Sequence, residues 1–471
     1  MRLKHPKMRP VEAVRITFDG TGIEALPGET VAAALAAADV VALRQTRSGA
    51  PRGPYCGMGV CFDCLVTVDG RPNQRACLTK VVAGMDIRST PGTGAALPPP
   101  GAAEEIDCDV LVVGAGPAGL SAARALARAG ARVIVVDERL LPGGQYFKPL
   151  APSLQAAGGL DRQFREGDAL RRSALDAGAR ILGETTVWAA FSPTEVAALV
   201  AGRSTLFRPR RLLLATGAYE QPMPVVGWTL PGVMTVGGLQ TLARAYRVAP
   251  GQRIVIAGNG PLCLQTAAEL IDGGANVVAV LESAPQPGLF DVVQLARAAW
   301  FDPMLTAKGL ALTRRLKSIL HWRHRVTRIL GEDRVRRVEA GGFAVDADIV
   351  ALGYGFAASS ELARSLGCAH RFVARGMGSM ETVTDGEGRS SIAEVFAIGD
   401  GARFGGAHVA QAQGVLAAGA IARDLGLQVP DTRSAQRRVR RAGRFQNALW
   451  QLFNGAPLVP RGIDNAAIVC R

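Results

Sequence analysis

DVLVVGAGPAGLSAARALARAGARVIVVDE, residues 109–138, decides the fold. The apolar run Asp109–Val113 reads as a strand buried on both faces, the stretch to about Ala129 as a helix, and Arg132–Val136 as a second buried strand. Asp137 closes that strand. Between the first strand and the helix stands Gly114-Ala115-Gly116-Pro117-Ala118-Gly119. Gly114 permits the tight turn, Gly116 lets a pyrophosphate approach the backbone, and Gly119 allows close helix–strand packing. The helix N-terminus offers unpaired N–H groups to phosphate, and Asp137 is placed to accept from ribose hydroxyls. Glycine motif, strand, helix and acid in register predict a dinucleotide-binding unit.

Three later segments point to FAD as that dinucleotide. LPGGQYF (141–147), with Gly144 and Gln145, follows the second strand, where flavoproteins pass beside the isoalloxazine. RRLLLATGAYEQP (210–222) is an apolar strand ending at Thr216 and Gly217. EVFAIGDGA (394–402) ends a late strand at Gly399 and Asp400, placed for the ribityl chain or pyrophosphate. Nested between the last two is QRIVIAGNGPLCLQTAAELIDGGANVVAVLE (252–282). It carries Gly258 and Gly260, has Cys263 at the third glycine position, and ends at Glu282, which suits a ribose diol. No arginine follows Glu282, so NAD or another unphosphorylated adenine nucleotide is expected over NADP; a domain kept as scaffold is the alternative.

Upstream, PYCGMGVCFDC (54–64) and Cys77 give Cys56-x4-Cys61-x2-Cys64-x12-Cys77. The first three have the plant-type ferredoxin spacing for a [2Fe–2S] cluster, whose two irons need four soft thiolates. Gly57 and Gly59 let the backbone curl and leave N–H groups for sulfur. Structural zinc usually takes two Cys-x2-Cys knuckles, and disulfides suit a different compartment. The flanking segments VRITF (14–18), IEAL (23–26), VAAALAA (31–37) and FDCLVTV (62–68), with the Asp69-Gly70 turn, predict a small β-grasp domain.

The fold class expected is α/β: a two-dinucleotide-binding-domain flavoprotein with nested Rossmann-like domains, preceded by a β-grasp [2Fe–2S] domain. The boundaries are 1–90 for the cluster domain, 91–105 for a Pro/Gly/Ala linker, 106–225 and 345–430 for a split FAD domain, and 226–344 for the nested unit. A basic C-terminal segment, 431–471, reads as a docking helix or the start of a truncated cluster domain. A chain of 471 residues with 48% hydrophobic residues can bury cores of this size. The net charge of +14 comes from scattered arginines without a nucleic-acid motif, so no nucleic-acid partner is expected. RRVRRAGR (437–444) and FQNALWQLF (445–453) form an amphipathic helix with Val439, Phe445, Leu449 and Leu452 near one face. No apolar run spans a bilayer and no signal peptide opens the chain, so the location expected is cytoplasmic, with peripheral contact to the inner membrane face allowed. Cys108, Cys263 and Cys368 read as buried small hydrophobes. No Cys-x-x-Cys lies near the flavin segments, and His408 reads as structural. No proton-abstracting constellation is recognisable, so no catalytic residue is named.

The order of these motifs, above all GAYEQPMPVVGWTLPGV (217–233), resembles the α-type subunits of bacterial hetero-oligomeric amino-acid and amine dehydrogenases. That group includes D-hydroxyproline and proline dehydrogenases, opine oxidases and hydrogen cyanide synthase, with sarcosine oxidase α more distant. The resemblance implies that an amine-oxidase-type FAD-containing β subunit oxidises the C–N bond while this chain relays electrons. It implies FAD at Gly114, Gly116, Gly119, Asp137 and Asp400, a cluster on the four cysteines, and a second nucleotide at Gly258, Gly260 and Glu282. Several relatives continue into a second cluster domain, whereas this sequence ends AAIVCR. Cys470 then implies a truncated chain or a further small iron–sulfur subunit. The rival readings are a self-contained NADH-dependent reductase and a non-catalytic scaffold subunit.

Overall fold

The first strand of the dinucleotide motif is longer than its apolar pattern required. In the computed structural model it runs Glu104–Val113, because Glu104–Cys108 continue the parallel ladder along Thr205–Pro209 of the long strand Arg203–Leu214. The structure describes residues 1–90, 103–156, 158, 160–374 and 378–454. Most of the expected linker and Cys470 lie outside them, while Glu104 and Glu105 belong to the strand.

Four neighbours complete the parallel part of this sheet. The order is Arg180–Leu182, Val133–Val136, Glu104–Val113, Arg203–Leu214 and Val395–Ala397. A hairpin, Thr185–Ser192 with Glu195–Val200, adds antiparallel strands beside Arg203–Phe207. The register places Gly114, Asp137, Ala215 and Ile398 just past the carboxyl ends of adjacent strands, where open α/β sheets bind ligands. Helices Pro117–Arg128 and Ala407–Asp424 cross closely on one face: a Cβ at Gly414 would lie 2.4 Å from the Ala118 carbonyl oxygen.

The nested sheet holds five parallel strands in the order Val233–Thr235, Ile349–Gly353, Ile254–Gly258, Val277–Glu282 and Leu320–Trp322. It therefore reaches past residue 344, the boundary expected from sequence. IVALG is a fully buried apolar run, and such a run reads identically whichever parallel sheet it joins.

The cluster domain orders its strands Thr21–Ala25, Val14–Phe18, Asp86–Arg88, Leu65–Val68 and Arg71–Arg75. Helix Val31–Ala37, capped by the Thr30 side chain on the Ala33 amide, lays six buried residues across them. The chain start departs from the expected boundary. The Met1 ammonium donates to the Ala249 carbonyl at 2.8 Å, Leu3 is buried in the nested core, and Met8–Pro10 pairs with Leu154–Ala156. No helix among the described residues is long and apolar enough to cross a membrane.

The cluster loop is clamped to the rest. The Thr235 amide donates to the Tyr55 carbonyl at 2.9 Å, and Tyr55 meets Trp228 edge-on at 5.6 Å. Gly57 has φ +65°, and a Cβ there would lie 2.8 Å from the Cα of Gly238. A Gly57→Val variant therefore carries both backbone strain and a backbone clash. It should lose about 3 kcal/mol of stability, read as a lower urea midpoint, and its iron content should fall with it.

Candidate functional site

At the FAD-sheet edge each glycine has a measurable reason. A Cβ at Gly114 (φ +108°) would lie 2.3 Å from the Ala215 carbonyl oxygen, and one at Gly119 would lie 1.9 Å from that of Gly114. Gly144 (φ +63°) packs on Gly116, where a Cβ would meet its Cα at 2.8 Å. Gly116 gives the Pro117–Arg128 helix no side-chain cap, so its first-turn amides, including that of Ala118, have no side-chain partner. Asp137 accepts from the Ala115 amide at 2.7 Å and the Arg139 amide at 2.9 Å. Each oxygen keeps a lone pair for a further donor. The Thr216 hydroxyl donates to the Ser359 carbonyl at 2.6 Å, beside Gly217 (φ +75°). Gly399 (φ +63°) lies against Ala118, and Asp400 accepts from the Gly405 and Gly406 amides, each at 2.9 Å. Burial pushes the Asp400 carboxyl above the usual range. Gln145 sits half-buried in the same loop as Gly144. Small residues, free amides and two acids along one strand-end edge fit a dinucleotide.

The four predicted cysteines converge. Cys56, Cys64 and Cys77 are buried and Cys61 partly so. The Cys56 sulfur is within hydrogen-bonding reach of Cys61 and Cys77, and Cys64 of Cys77. Donation from Cys61 and Cys77 holds the Cys56 thiol far below its ordinary range, while the same bonds push those two donors up. The Met58 amide points at the Cys56 sulfur at 3.4 Å. Among the described residues no group of three or more His, Cys, Asp or Glu is arranged for a single metal ion. Four crowded sulfurs with several backbone amides directed at them fit the donor set of a two-iron centre.

Between the two sites lies a cavity of about 70 Å³, whose wall includes the cluster ligand Cys77 together with Glu138, Leu141 and Lys148 of the flavin-side loop. Arg75 of the cluster domain pairs with Glu138 at 2.6 Å. Beneath it two fully buried charges share the Gly237 peptide. Glu220 Oε2 accepts from its amide at 2.6 Å, and Lys148 Nζ donates to its carbonyl at 3.4 Å and to Gln240 Oε1 at 2.8 Å. Glu220 Oε1 is buried without a partner. Burial drives both groups to about 7, the carboxyl from below and the ammonium from above. Neither residue was singled out from sequence. The available signal was a charge inside each of two otherwise apolar motifs.

In the nested unit a Cβ at Gly258 would lie 2.2 Å from the Gly353 carbonyl oxygen and 2.7 Å from the Cys263 sulfur, so cysteine does allow close packing. Gly260 (φ +99°) faces open space. Glu282 departs from expectation. It is 1% exposed and accepts from the Gly260 amide at 2.8 Å, the Ala284 amide at 2.9 Å and the Asn259 side chain at 3.2 Å. Asn259 also donates to the Phe453 carbonyl at 3.0 Å, and Phe453 stacks on Trp322 at 6.4 Å. The end of helix Arg433–Leu452 is therefore tied, through Asn259, to the loop that satisfies Glu282.

Residues 11–92 match the 2Fe-2S iron-sulfur cluster binding domain, and 108–414 match the pyridine nucleotide-disulphide oxidoreductase family. The opine oxidase A subunit of Agrobacterium tumefaciens is 33% identical over 77% of this chain and 76% of its own length. The chain belongs to this family. The sarcosine oxidase alpha subunit of Rhizobium meliloti is 30% identical over 58% of the chain and 34% of its own length. The L-proline dehydrogenase structure from P. horikoshii aligns over 93% of this chain and 79% of its own, with a TM-score of 0.69 at 21% identity, which supports the shared fold.

As a member of this opine oxidase family the chain is an FAD-dependent oxidoreductase with a [2Fe–2S] domain. Two consequences can be measured. Glu220 holds a proton in the fold between its ordinary value of 4.5 and about 7, a window in which the unfolded chain has lost it. Its contribution is thus full below the lower value and is lost as pH rises through the upper one. Glu220→Gln should remove a slope of about 1.4 kcal/mol per pH unit across that window, seen in urea melts at pH 5 and 7. Asn259→Ala should remove the side-chain donor that links Glu282 to the Phe453 carbonyl and lower stability by about 1 kcal/mol, read as a lower urea midpoint.

Proposed function

We propose that this chain is the electron-transfer subunit of a multi-subunit dehydrogenase or oxidase that acts on an amino acid, imino acid or secondary amine. The C–N bond is oxidised on a partner FAD-containing subunit of amine-oxidase type. The shared wall carries this reading: Cys77 of the cluster loop and Leu141 and Lys148 of the flavin-side loop line one small cavity, so the two redox stations are neighbours. The relatives' names agree in chemistry, since opines and sarcosine are both amino acids that are secondary amines.

In this reading Gly114, Gly116, Pro117, Ala118 and Gly119 cradle the FAD pyrophosphate, with Asp137 toward ribose. Gly144 and Gln145 flank the isoalloxazine, and Thr216, Gly217, Gly399 and Asp400 line the remainder. Cys56, Cys61, Cys64 and Cys77 hold the cluster, and Gly258, Gly260 and Glu282 belong to a second adenine-nucleotide site. When bound, FAD accepts an electron pair and releases electrons singly. The chain's own residues supply geometry and dryness. The Gly57–Gly238 contact fixes the cluster loop, and the buried Lys148 and Glu220 side chains are held in place by hydrogen bonds to Gly237 and Gln240. The reading also expects a further small iron–sulfur subunit.

Purified alone, the chain should be yellow-brown, release labile sulfide, and reduce no dye with amines. Adding its partner should restore amine-dependent dye reduction, and Cys64→Ser should keep the flavin spectrum while losing the cluster's. Full activity from the chain alone would overturn the proposal. Anaerobic NADH that bleaches the flavin within a turnover would favour the self-contained reductase.

A further inference from the structure

Two consecutive helices, Val292–Phe301 and Pro303–Arg315, bury almost nothing. The first has one buried residue, Ala298, and the second has none. Helices of ten and thirteen residues are marginal alone in water and take their stability from a packed apolar face. Leu312 packs half-buried on the nested core, but the largest apolar side chains here point outward. Trp300 is 81% exposed and Leu289 89%, with Val293, Met304 and Leu310 also exposed. Tryptophan is rarely left so open, and several large apolar side chains exposed on two adjoining helices mark a candidate interaction site.

Helix Arg433–Leu452 flanks the same face. Between it and Val292–Phe301 opens a cleft of about 470 Å³, lined by Trp300, Phe301, Arg437, Arg440, Arg441 and Arg444. Arg441 donates to the Phe301 carbonyl at 2.6 Å, and the Arg444 guanidinium lies 5.7 Å over the Phe301 ring. Arg437 and Arg440 are exposed. Among the described residues none of the four arginines lies within ion-pair distance of a carboxylate.

We propose that this face is the docking surface for an acidic segment of the partner subunit that carries large apolar side chains, an inference that rests on the reading that the chain works with such a partner. The arginines call for carboxylates, and the tryptophan and its neighbours call for an apolar anchor. A second copy of this chain fits poorly, because it would set arginine against arginine on a chain of net charge +14. A nucleotide could occupy the cleft, but would leave the apolar positions from Leu289 to Leu310 uncovered. A flat lipid surface would not fill a concave cleft.

The test uses the complex purified from its own host through a tag on this chain, with a photo-crosslinking phenylalanine analogue in place of Trp300. The expected product joins Trp300's position to an acidic, apolar-flanked segment of a different, co-purifying flavoprotein. Arg437→Glu with Arg440→Glu should weaken that association at least tenfold, with flavin and cluster spectra and thermal midpoint unchanged. Crosslinks to a second copy, to this chain's own residues 455–471, or to nothing would overturn the surface, as would retained assembly in the double variant. So would binding to phosphatidylglycerol vesicles, or to ATP, in place of the partner. A purified chain with no second polypeptide would overturn the partner reading too. A partner that remains bound to the double variant would remove the surface alone.

Discussion

A contact between two backbones, without side chains, holds the cluster loop against the nested unit. Gly57 in the cluster loop and Gly238 in helix Val236–Ala245 approach so closely that a methyl group on either would overlap the other segment. Thr235 reinforces the contact with an amide donated to Tyr55, while its side chain caps the same helix at the Gly238 amide. Hydrogen bonds and van der Waals contact between main chains tolerate little rearrangement, since no rotamer can absorb a shift. The cluster domain is thereby held in one orientation against both nucleotide-binding units, with the Arg75–Glu138 pair on the opposite side of the loop.

That rigidity accounts for the buried charges beneath the loop. Glu220 and Lys148 occupy opposite ends of the Gly237 peptide, one taking its N–H and the other meeting its C=O. Placing a carboxylate and an ammonium out of water costs several kcal/mol each, and mutual attraction seldom recovers all of it. A packed apolar pair would be at least as stable. Lys148 itself lines the cavity that Cys77 and Leu141 share, so a titratable group stands beside the cluster loop. Charge in a low-dielectric interior shifts the energy of a neighbouring redox centre far more than the same charge would at the surface.

Local motifs were legible in sequence because backbone geometry demands particular residues there. Only glycine fits Gly114 and Gly119, and the four cysteines converge, so spacing alone marked where each motif would fold. What sequence could not resolve were properties of assembly. IVALG at 349–353 is apolar throughout and carries no mark of the sheet it joins. The first ten residues look like an ordinary tail, yet Leu3 enters the nested core through the Arg247 carbonyl and the Gly273 turn. Lys148 and Glu220 were passed over because a single charge in an apolar motif has no periodicity to flag it.

The nested unit shows most clearly how far a motif can be read. Its glycines do what the pattern requires: Gly258 packs against Gly353, and Gly260 leaves room beside the helix start. Glu282 is in the expected register, but its carboxylate is satisfied by the loop that would have faced the ligand. Burial raises its pKa to about 7, while three donors already occupy its oxygens. Phe453 then lies over Trp322, at the end of the helix whose arginines line the outer cleft. The helix whose carboxyl end holds the Asn259 side chain through the Phe453 carbonyl is thus the same one that presents the four arginines.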